Sequence, residues 1–151
     1  MTDNDKYFIS LACNVALASK CVRAQYGSVL VRKDGTIAST GYNGKPRGSI
    51  NDHICYREGL IANSKEAPNC CLHSEVNCIM FANPIDRIGA TLYVNGKPCI
   101  DCLLVIMQSG INRVVYLDEP NPLTGHVGNS SKEFLEKYGF ENKIEFVPIK
   151  L

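Results

Sequence analysis

Residues 73–117 decide the fold, and they read HSEVNCIMFANPIDRIGATLYVNGKPCIDCLLVIMQSGINRVVYL. In order, the stretch predicts a helix over residues 73–83 that stops before Pro84, a strand at Thr91–Val94, a helix at about Cys99–Ser109 and a strand at Arg113–Leu117. Gly110 stands where a helix C-terminal cap is expected. Strands that alternate with helices in this way favour parallel pairing with right-handed crossovers.

The N-terminal part predicts a helix and a hairpin. Residues 3–20 form the helix, which Thr2 or Asp3 can cap. Its predicted buried face consists of Phe8, Leu11, Ala12, Val15 and Ala16. Two β-rich runs, Ser28–Arg32 and Thr36–Gly41, flank the turn Lys33–Asp34–Gly35, so we expect an antiparallel pair.

The remaining segments complete an α/β pattern. A short helix is predicted at Ser131–Tyr138 and an edge strand at Lys143–Ile149, while the loop from Asn43 to about Cys71 is long enough to be functional. We therefore expect residues 1–151 to form a single domain. It would have three layers, with helices on both faces of a mixed five-stranded sheet.

Composition restricts the function. The formal net charge is +1, whereas a protein that binds nucleic-acid backbone is usually far more basic. No apolar run approaches the ~20 residues needed to cross a bilayer. The polar, acidic start MTDNDKYFIS does not resemble a secretory signal. We expect a cytoplasmic protein that acts on small molecules, with no membrane or nucleic-acid partner.

Eight cysteines are many for this length, and a reducing compartment disfavours a disulfide framework. Cys99 and Cys102 are three apart at the start of a predicted helix, where both thiolates project to one side and the helix dipole stabilises them. Pro98 suits the entry to that helix. His73 opens the other helix and supplies a third donor.

Three nitrogen and sulfur ligands leave the fourth position of Zn²⁺ open for water, which is typical of a catalytic site, since structural zinc is usually closed by four ligands. Such a metal lowers the pKa of water, and a carboxylate is then needed to carry the proton. Glu75 lies two residues from His73. We expect the two to converge if the helix begins at His73. The alternative is a redox-active or structural C-x-x-C pair.

His73-Ser74-Glu75 followed by Pro98-Cys99-Ile100-Asp101-Cys102 matches the H-x-E…P-C-x-x-C signature of the zinc nucleobase deaminases. Over nearly its whole length the chain resembles the cytidine deaminase-like superfamily, and within it the deoxycytidylate (dCMP) deaminases. Further matching stretches are Gly27–Val31, Gly41–Gly48 (GYNGKPRG), Ala90–Val94 and Gly110–Tyr116.

This resemblance implies the cytidine deaminase-like fold and hydrolytic deamination of dCMP to dUMP, the precursor for thymidylate synthesis. Glu75 would protonate ring nitrogen N3 and then the leaving ammonia. Asn43 would contact the sugar. The family is commonly a hexamer, activated by dCTP and inhibited by dTTP, with Mg²⁺ as a further partner of these effectors. The effector-binding residues implied here are Tyr42, Asn43, Gly44, Lys45 and Arg47.

The resemblance also implies three weaker assignments. Arg23 would lie near the substrate phosphate, although a solvated charge after a helix is an equal reading. Tyr116 would contact base or phosphate, or belong to the core. Ser74 replaces the Ala usual in the family and would add a polar contact in the pocket.

Many family members carry a second, structural zinc. The candidate ligands here are His53, Cys55, Cys70 and Cys71, but their spacing forms no clean pair of motifs, so we prefer free thiols.

Two kinds of alternative remain. One keeps the chemistry and changes the substrate to cytidine, dCTP or a tRNA adenosine. The long connection between Asn43 and His73 disfavours the tRNA enzymes, in which it is shorter. The other is a non-catalytic zinc- or nucleotide-binding module, which the presence of Glu75 disfavours.

Overall fold

The computed structural model of the protein describes residues 2–50, 54–55, 70–120, 133, 136–137 and 144–151. Its helices are α1 (Asp3–Ala16), α2 (Ser74–Phe81), α3 (Pro84–Arg87) and α4 (Ile100–Gln108). Its strands are β1 (Gly27–Val31), β2 (Ile37–Tyr42), β3 (Thr91–Val94), β4 (Arg113–Leu117) and β5 (Glu145–Ile149). Within these residues, a helix with the length and apolarity to span a bilayer is absent.

The five strands form one mixed sheet in the order β2-β1-β3-β4-β5. β1 pairs antiparallel with both β2 and β3, while β3, β4 and β5 are parallel to one another. The predicted hairpin, the parallel pairs and the edge position of the last strand are confirmed. Pro148 fits that edge, because it has no N–H to give to a further strand.

Successive side chains along each strand point to opposite faces of the sheet, so the interior has two cores, one on each face. Leu30, Leu92 and Val114 pack under α2 and α4, and Val29, Tyr93 and Val115 pack under α1. This confirms the three-layer expectation. It also places the N-termini of α2 and α4 on the same side of the sheet.

The first helix differs from its prediction in length and in buried face. It ends at Ala16 and not at residue 20, because the next amides bond three residues back, Ser19 to Ala16 for example, and the Ser19 hydroxyl donates to the carbonyl of Asn43 (2.8 Å). The buried positions are Asp5, Ile9, Ala12 and Ala16, while the predicted Phe8, Leu11 and Val15 are only partly buried beside them.

The short helix α3 was not predicted. Pro84 is its first residue, a position that proline favours. The predicted helix Ser131–Tyr138 lies largely outside the described residues.

α2 sits unusually close to β2, and Gly41 allows it. A Cβ on Gly41 would collide with the backbone of Ser74 and Cys78. Two residues earlier, on the same face of the strand, the Ser39 hydroxyl donates to the carbonyl of Cys78 (2.7 Å). This contact fixes the helix that carries His73 and Glu75.

A buried ion pair ties α1 to β4. The Asp5 carboxylate, 1% exposed, accepts hydrogen bonds from both terminal nitrogens of Arg113 (2.9 and 3.1 Å), from Tyr93 Oη (2.9 Å) and from the Thr2 amide (2.9 Å). The Arg113 hydrogen bonds hold the pKa of Asp5 well below its usual range. All of the carboxylate's main acceptor directions are therefore used within the protein.

We expect Asp5→Asn to lower the free energy of unfolding by about 3 kcal/mol at pH 7, since it removes the buried anion of Arg113 and leaves the guanidinium with the exposed Glu145 carboxylate, 3.2 Å from Nε. A carboxyl whose folded pKa is depressed stabilises the fold above its unfolded pKa of about 3.9, and this stabilisation is lost as pH falls. The difference between wild type and variant, measured by urea unfolding, should therefore narrow below about pH 4. Asp3→Asn, an exposed acid of the same helical turn, is the control. A difference that stays constant with pH would contradict this account.

Candidate metal and active site

Two helix N-termini converge and bring three metal-binding side chains together. His73 is the N-cap residue of α2 and Cys99 is that of α4, both in extended backbone. His73 Nδ1 lies 3.2 Å from Cys102 Sγ and 3.4 Å from Cys99 Sγ, and the potential ligand atoms all lie within 4.8 Å of one another. In the part of the chain that the structure describes, these three residues form the one group with such spacing.

The geometry fits zinc. Zn–S and Zn–N bonds of about 2.3 and 2.0 Å give tetrahedral edges of about 3.5–3.8 Å, close to the observed separations. Hydrogen bonds from the Cys102 thiol and from His73 lower the pKa of Cys99 to about 4, while the same contact to Cys99 raises that of Cys102. One thiolate is thus favoured even before a cation shares the cluster. His73, Cys99 and Cys102 could hold a metal ion and leave one position open.

The Cys99 side chain also caps its helix, since Sγ accepts a hydrogen bond from the Cys102 amide (3.4 Å). Helix N-termini stabilise anions, because their first amides have no partner within the helix. The prediction that the two thiols lie at the start of a helix is therefore confirmed for α4.

Glu75 lies beside this cluster with only 5% of its surface exposed. Burial raises the pKa of Glu75, while its own amide and the nearby His73 oppose that rise. α2 starts at Ser74, one residue later than our assumption, and because His73 is extended, positions 73 and 75 can serve one site. The arrangement places a buried carboxyl beside three residues that could hold a metal ion.

The zinc-binding region of cytidine and deoxycytidylate deaminases, as a family model, matches residues 2–118 of the 151. The chain belongs to this deaminase family. The deoxycytidylate deaminase of Mycobacterium phage D29 is 40% identical to it over 124 residues, which cover 78% of this chain and 96% of the phage protein.

Two further comparisons agree with this assignment. The deoxycytidylate deaminase of Saccharomyces cerevisiae is 41% identical over 119 residues, 74% of this chain but 36% of the yeast protein. The dCMP deaminase of cyanophage S-TIM5, in complex with dCMP and dUMP, has a similar structure, with a TM-score of 0.73 over 99% of both chains. At 20% identity this last likeness shows the fold alone.

In this family member the side chain of Asn43 holds a loop. It is buried, its Oδ1 accepts from the Tyr26 amide (2.9 Å) and its Nδ2 donates to the carbonyl of Ala24 (2.9 Å). Asn95 holds the next residue, accepting from the Gly27 amide (2.9 Å). The predicted contact of Asn43 with a sugar stays a prediction, and what the structure gives it is a bracing role at the loop that leads into β1.

The other predicted binding residues are spread around the site. Arg23 is half-buried in the loop that follows α1, and Tyr116 is half-buried near the carboxyl end of β4. The predicted polar contact of Ser74 with the substrate stays a prediction. Ser74 is fully buried, and its hydroxyl contacts Ser28 and Glu75.

The predicted effector segment lines a pocket of about 160 Å³. Four of its residues take part, namely Tyr42, Asn43, Gly44 and Lys45. The Arg47 guanidinium lies outside it, 4.8 Å above the ring centroid of Phe81. The pocket is smaller than the ~300 Å³ at which ordinary ligand sites begin, so this conformation encloses part of a nucleotide at most.

The same pocket contains two of the three thiols considered for a second zinc. Cys55 and Cys71 line it together with Cys21, which the sequence argument did not include, and Cys70 Sγ lies 3.8 Å from Cys71 Sγ. Burial and the neighbouring thiols raise the pKa of Cys71 to about 12. His53 lies outside the described residues. The described cysteines are free, and the second zinc stays untested.

Sequence reasoning missed two residues close to Glu75. Tyr26 is half-buried with its ring packed over Gly96, and burial together with the charge of Glu75 raises its pKa to about 12. Ser28 lies in β1 with its hydroxyl 2.7 Å from that of Ser74. Nothing in the motif spacing points to either, because Ser28 lies in the strand that packs under α2 and Tyr26 directly precedes that strand.

Proposed function

We propose that this protein is a zinc-dependent hydrolase that converts dCMP and water to dUMP and ammonia. The observation that carries the proposal is the cluster of His73, Cys99 and Cys102 with the buried carboxyl of Glu75 beside it. A purely structural metal site would need a fourth ligand and would have no use for that carboxyl.

When bound, zinc would polarise a water molecule at its open position and bring its pKa towards neutrality. Glu75 would accept one proton of the water and deliver it to ring N3. It would then take the second proton from the hydroxyl that has added to C4 and give it to the departing amine, which leaves as ammonia. Its raised pKa, caused by burial, suits a group that must both take and give a proton near neutral pH. Glu75 would thus act both as the general base and as the general acid of the reaction.

The choice of dCMP rests on the family and on the relatives, which are named deoxycytidylate deaminases. A monophosphate needs a cation and a base needs a flat apolar face. Arg23 and Tyr116, both half-buried near strand ends, are our candidates for these contacts, with Asn43 bracing the sugar side. Glu75 is the proposed catalytic residue.

Regulation by dCTP and dTTP, with Mg²⁺, is part of the proposal. Lys20 and Lys45 line the pocket beside Tyr42, Asn43 and Gly44, and their positive charge suits a phosphorylated ligand. This pocket is formed by residues other than the three metal ligands.

We further propose a cytoplasmic homo-oligomer, of hexameric size by resemblance to the family. Large apolar side chains are exposed on α2, on the segment around α3 and on α4, namely Met80, Phe81, Ile85, Ile88 and Leu104. Such a surface is typical of a subunit interface. The free cysteines favour a reducing compartment.

The test is ammonia release from dCMP, CMP, cytidine, dCTP and tRNA, each with and without dCTP or dTTP as effector. We expect dCMP to have the highest kcat/KM, dCTP to raise the rate at low dCMP and dTTP to lower it. Turnover of tRNA or cytidine above that of dCMP would refute the substrate assignment. Flat responses to both effectors would remove the regulation and leave the chemistry intact.

A further inference from the structure

Two serine hydroxyls meet in the interior between β1 and α2. Ser28 and Ser74 are both 0% exposed, and their Oγ atoms are 2.7 Å apart. The Ser74 hydroxyl donates to Oε2 of Glu75 at 3.0 Å. A continuous chain of hydrogen bonds therefore runs from a central strand to the carboxyl beside the metal site.

The direction of this chain follows from counting protons. A serine hydroxyl has one proton to donate, and that of Ser74 is used on the Glu75 carboxylate. In the contact between the two serines, Ser74 must accordingly accept and Ser28 must donate. The order is Ser28 to Ser74 to Glu75, with each donor pointing towards the carboxylate.

We propose that Ser28 and Ser74 position the catalytic carboxylate, with Ser74 acting directly and Ser28 acting through it; this inference rests on the proposed function. The hydrogen bond to Oε2 restricts rotation of the carboxylate, and Ser28 in turn fixes the rotor of the Ser74 hydroxyl. β1 is a rigid support, because all five of its residues are buried and it pairs on both sides. The reacting proton then meets an oxygen held in one place, which is what efficient proton transfer requires.

Packing alone would not explain this arrangement. A buried hydroxyl costs free energy unless it is paired, so two alanines would fill the same space without that cost. Ser39 provides a contrast within the same interface. Its hydroxyl also links a strand to α2, but it bonds to the carbonyl of Cys78 and makes no contact with Glu75 in the described structure. Ser39 thus makes a hydrogen bond between a strand and α2 but does not contact Glu75, so Ser39→Ala is the control for losing such a bond.

The experiment compares Ser74→Ala, Ser28→Ala, the double variant and Ser39→Ala. For each, kcat and KM for dCMP are measured per bound zinc, and the urea midpoint of unfolding is measured separately. We expect Ser74→Ala to lower kcat about tenfold, as for loss of a hydrogen bond to a charged group, with KM within about twofold. Ser28→Ala should lower kcat by about threefold.

The double variant separates positioning from packing. Because Ser28 reaches Glu75 only through Ser74, the double variant should match Ser74→Ala in kcat within about twofold. It should also unfold at a urea concentration no lower than that of Ser74→Ala, since it leaves no hydroxyl unpaired. Ser39→Ala should lower the unfolding midpoint and leave kcat unchanged.

Several results would overturn the proposal. These are an unchanged kcat in Ser74→Ala, a double variant whose loss equals the product of the single losses, or an equal fall of kcat in Ser39→Ala. If Ser74→Ala does not fold, the double variant takes its place and must still show the tenfold fall. If wild type itself releases no ammonia from dCMP, the proposed function fails. The hydrogen-bonded chain from Ser28 through Ser74 to Glu75 is then tested by unfolding alone: the effects of the two substitutions on the free energy of unfolding should be non-additive, and additive effects would refute it.

Discussion

Glu75→Ala should abolish nearly all turnover, by about 10³-fold or more in kcat, while the protein keeps its zinc. The substitution removes the only carboxylate assigned to move protons, and Glu75 is not one of the three residues with metal-ligand spacing. KM for dCMP should change little, because the side chain acts on protons and not on the phosphate or sugar. The measurement is kcat per zinc ion, with metal content determined on the same preparation.

Glu75→Gln is the stricter companion to this variant. It keeps the length of the side chain and an oxygen for the Ser74 hydroxyl, but it cannot accept and return a proton. We expect the same loss of turnover, with an unfolding midpoint equal to or above that of wild type, since a charge is removed from a buried position. Either variant turning over dCMP within tenfold of wild type would show that another group carries the protons.

The hairpin and the parallel pairs could be predicted because their signals are local, whereas the antiparallel pairing of β1 with β3 was not predicted. Asp34–Gly35 fixed the hairpin, and the strand–helix alternation after Thr91 implied the parallel pairs that the structure contains. The face of α1 was harder. A periodicity argument counts apolar residues, so it passed over Asp5, which is buried only because Arg113, 108 positions further on, pairs with it.

The site residues also differ in whether local sequence or tertiary packing determines their position. His73, Cys99 and Cys102 could be predicted because a metal needs particular donors at particular spacings, and each donor opens a helix. Ser28 could not, because its contact with Ser74 depends on how closely α2 packs on the sheet. The contacts of the Asn43 side chain could not be predicted either. Its amide group bonds to Ala24 and Tyr26, whereas the family resemblance implies that it contacts a sugar.

Cys99→Ala should lose the metal, and with it activity and stability together. The thiol is one of three donors and also the cap of α4, so the substitution removes a ligand and a helix-capping bond at once. Two ligands hold zinc far less well than three. We expect bound zinc to fall from about one ion per chain to a small fraction, and the thermal midpoint to become insensitive to chelator.

Cys99→Ser distinguishes the two roles of the thiol. A serine hydroxyl can cap α4 as well as the thiol does but is a poor zinc ligand, so this variant should also lose the metal. The difference in unfolding free energy between Ala and Ser, measured without metal, should then be the cap alone, about 1 kcal/mol. Cys13→Ala, a half-buried cysteine on α1, should keep zinc and turnover. If Cys99→Ala retained a full equivalent of zinc, the metal would have to be held by other residues and the assigned centre would be wrong, because a site with only His73 and Cys102 left cannot account for such affinity.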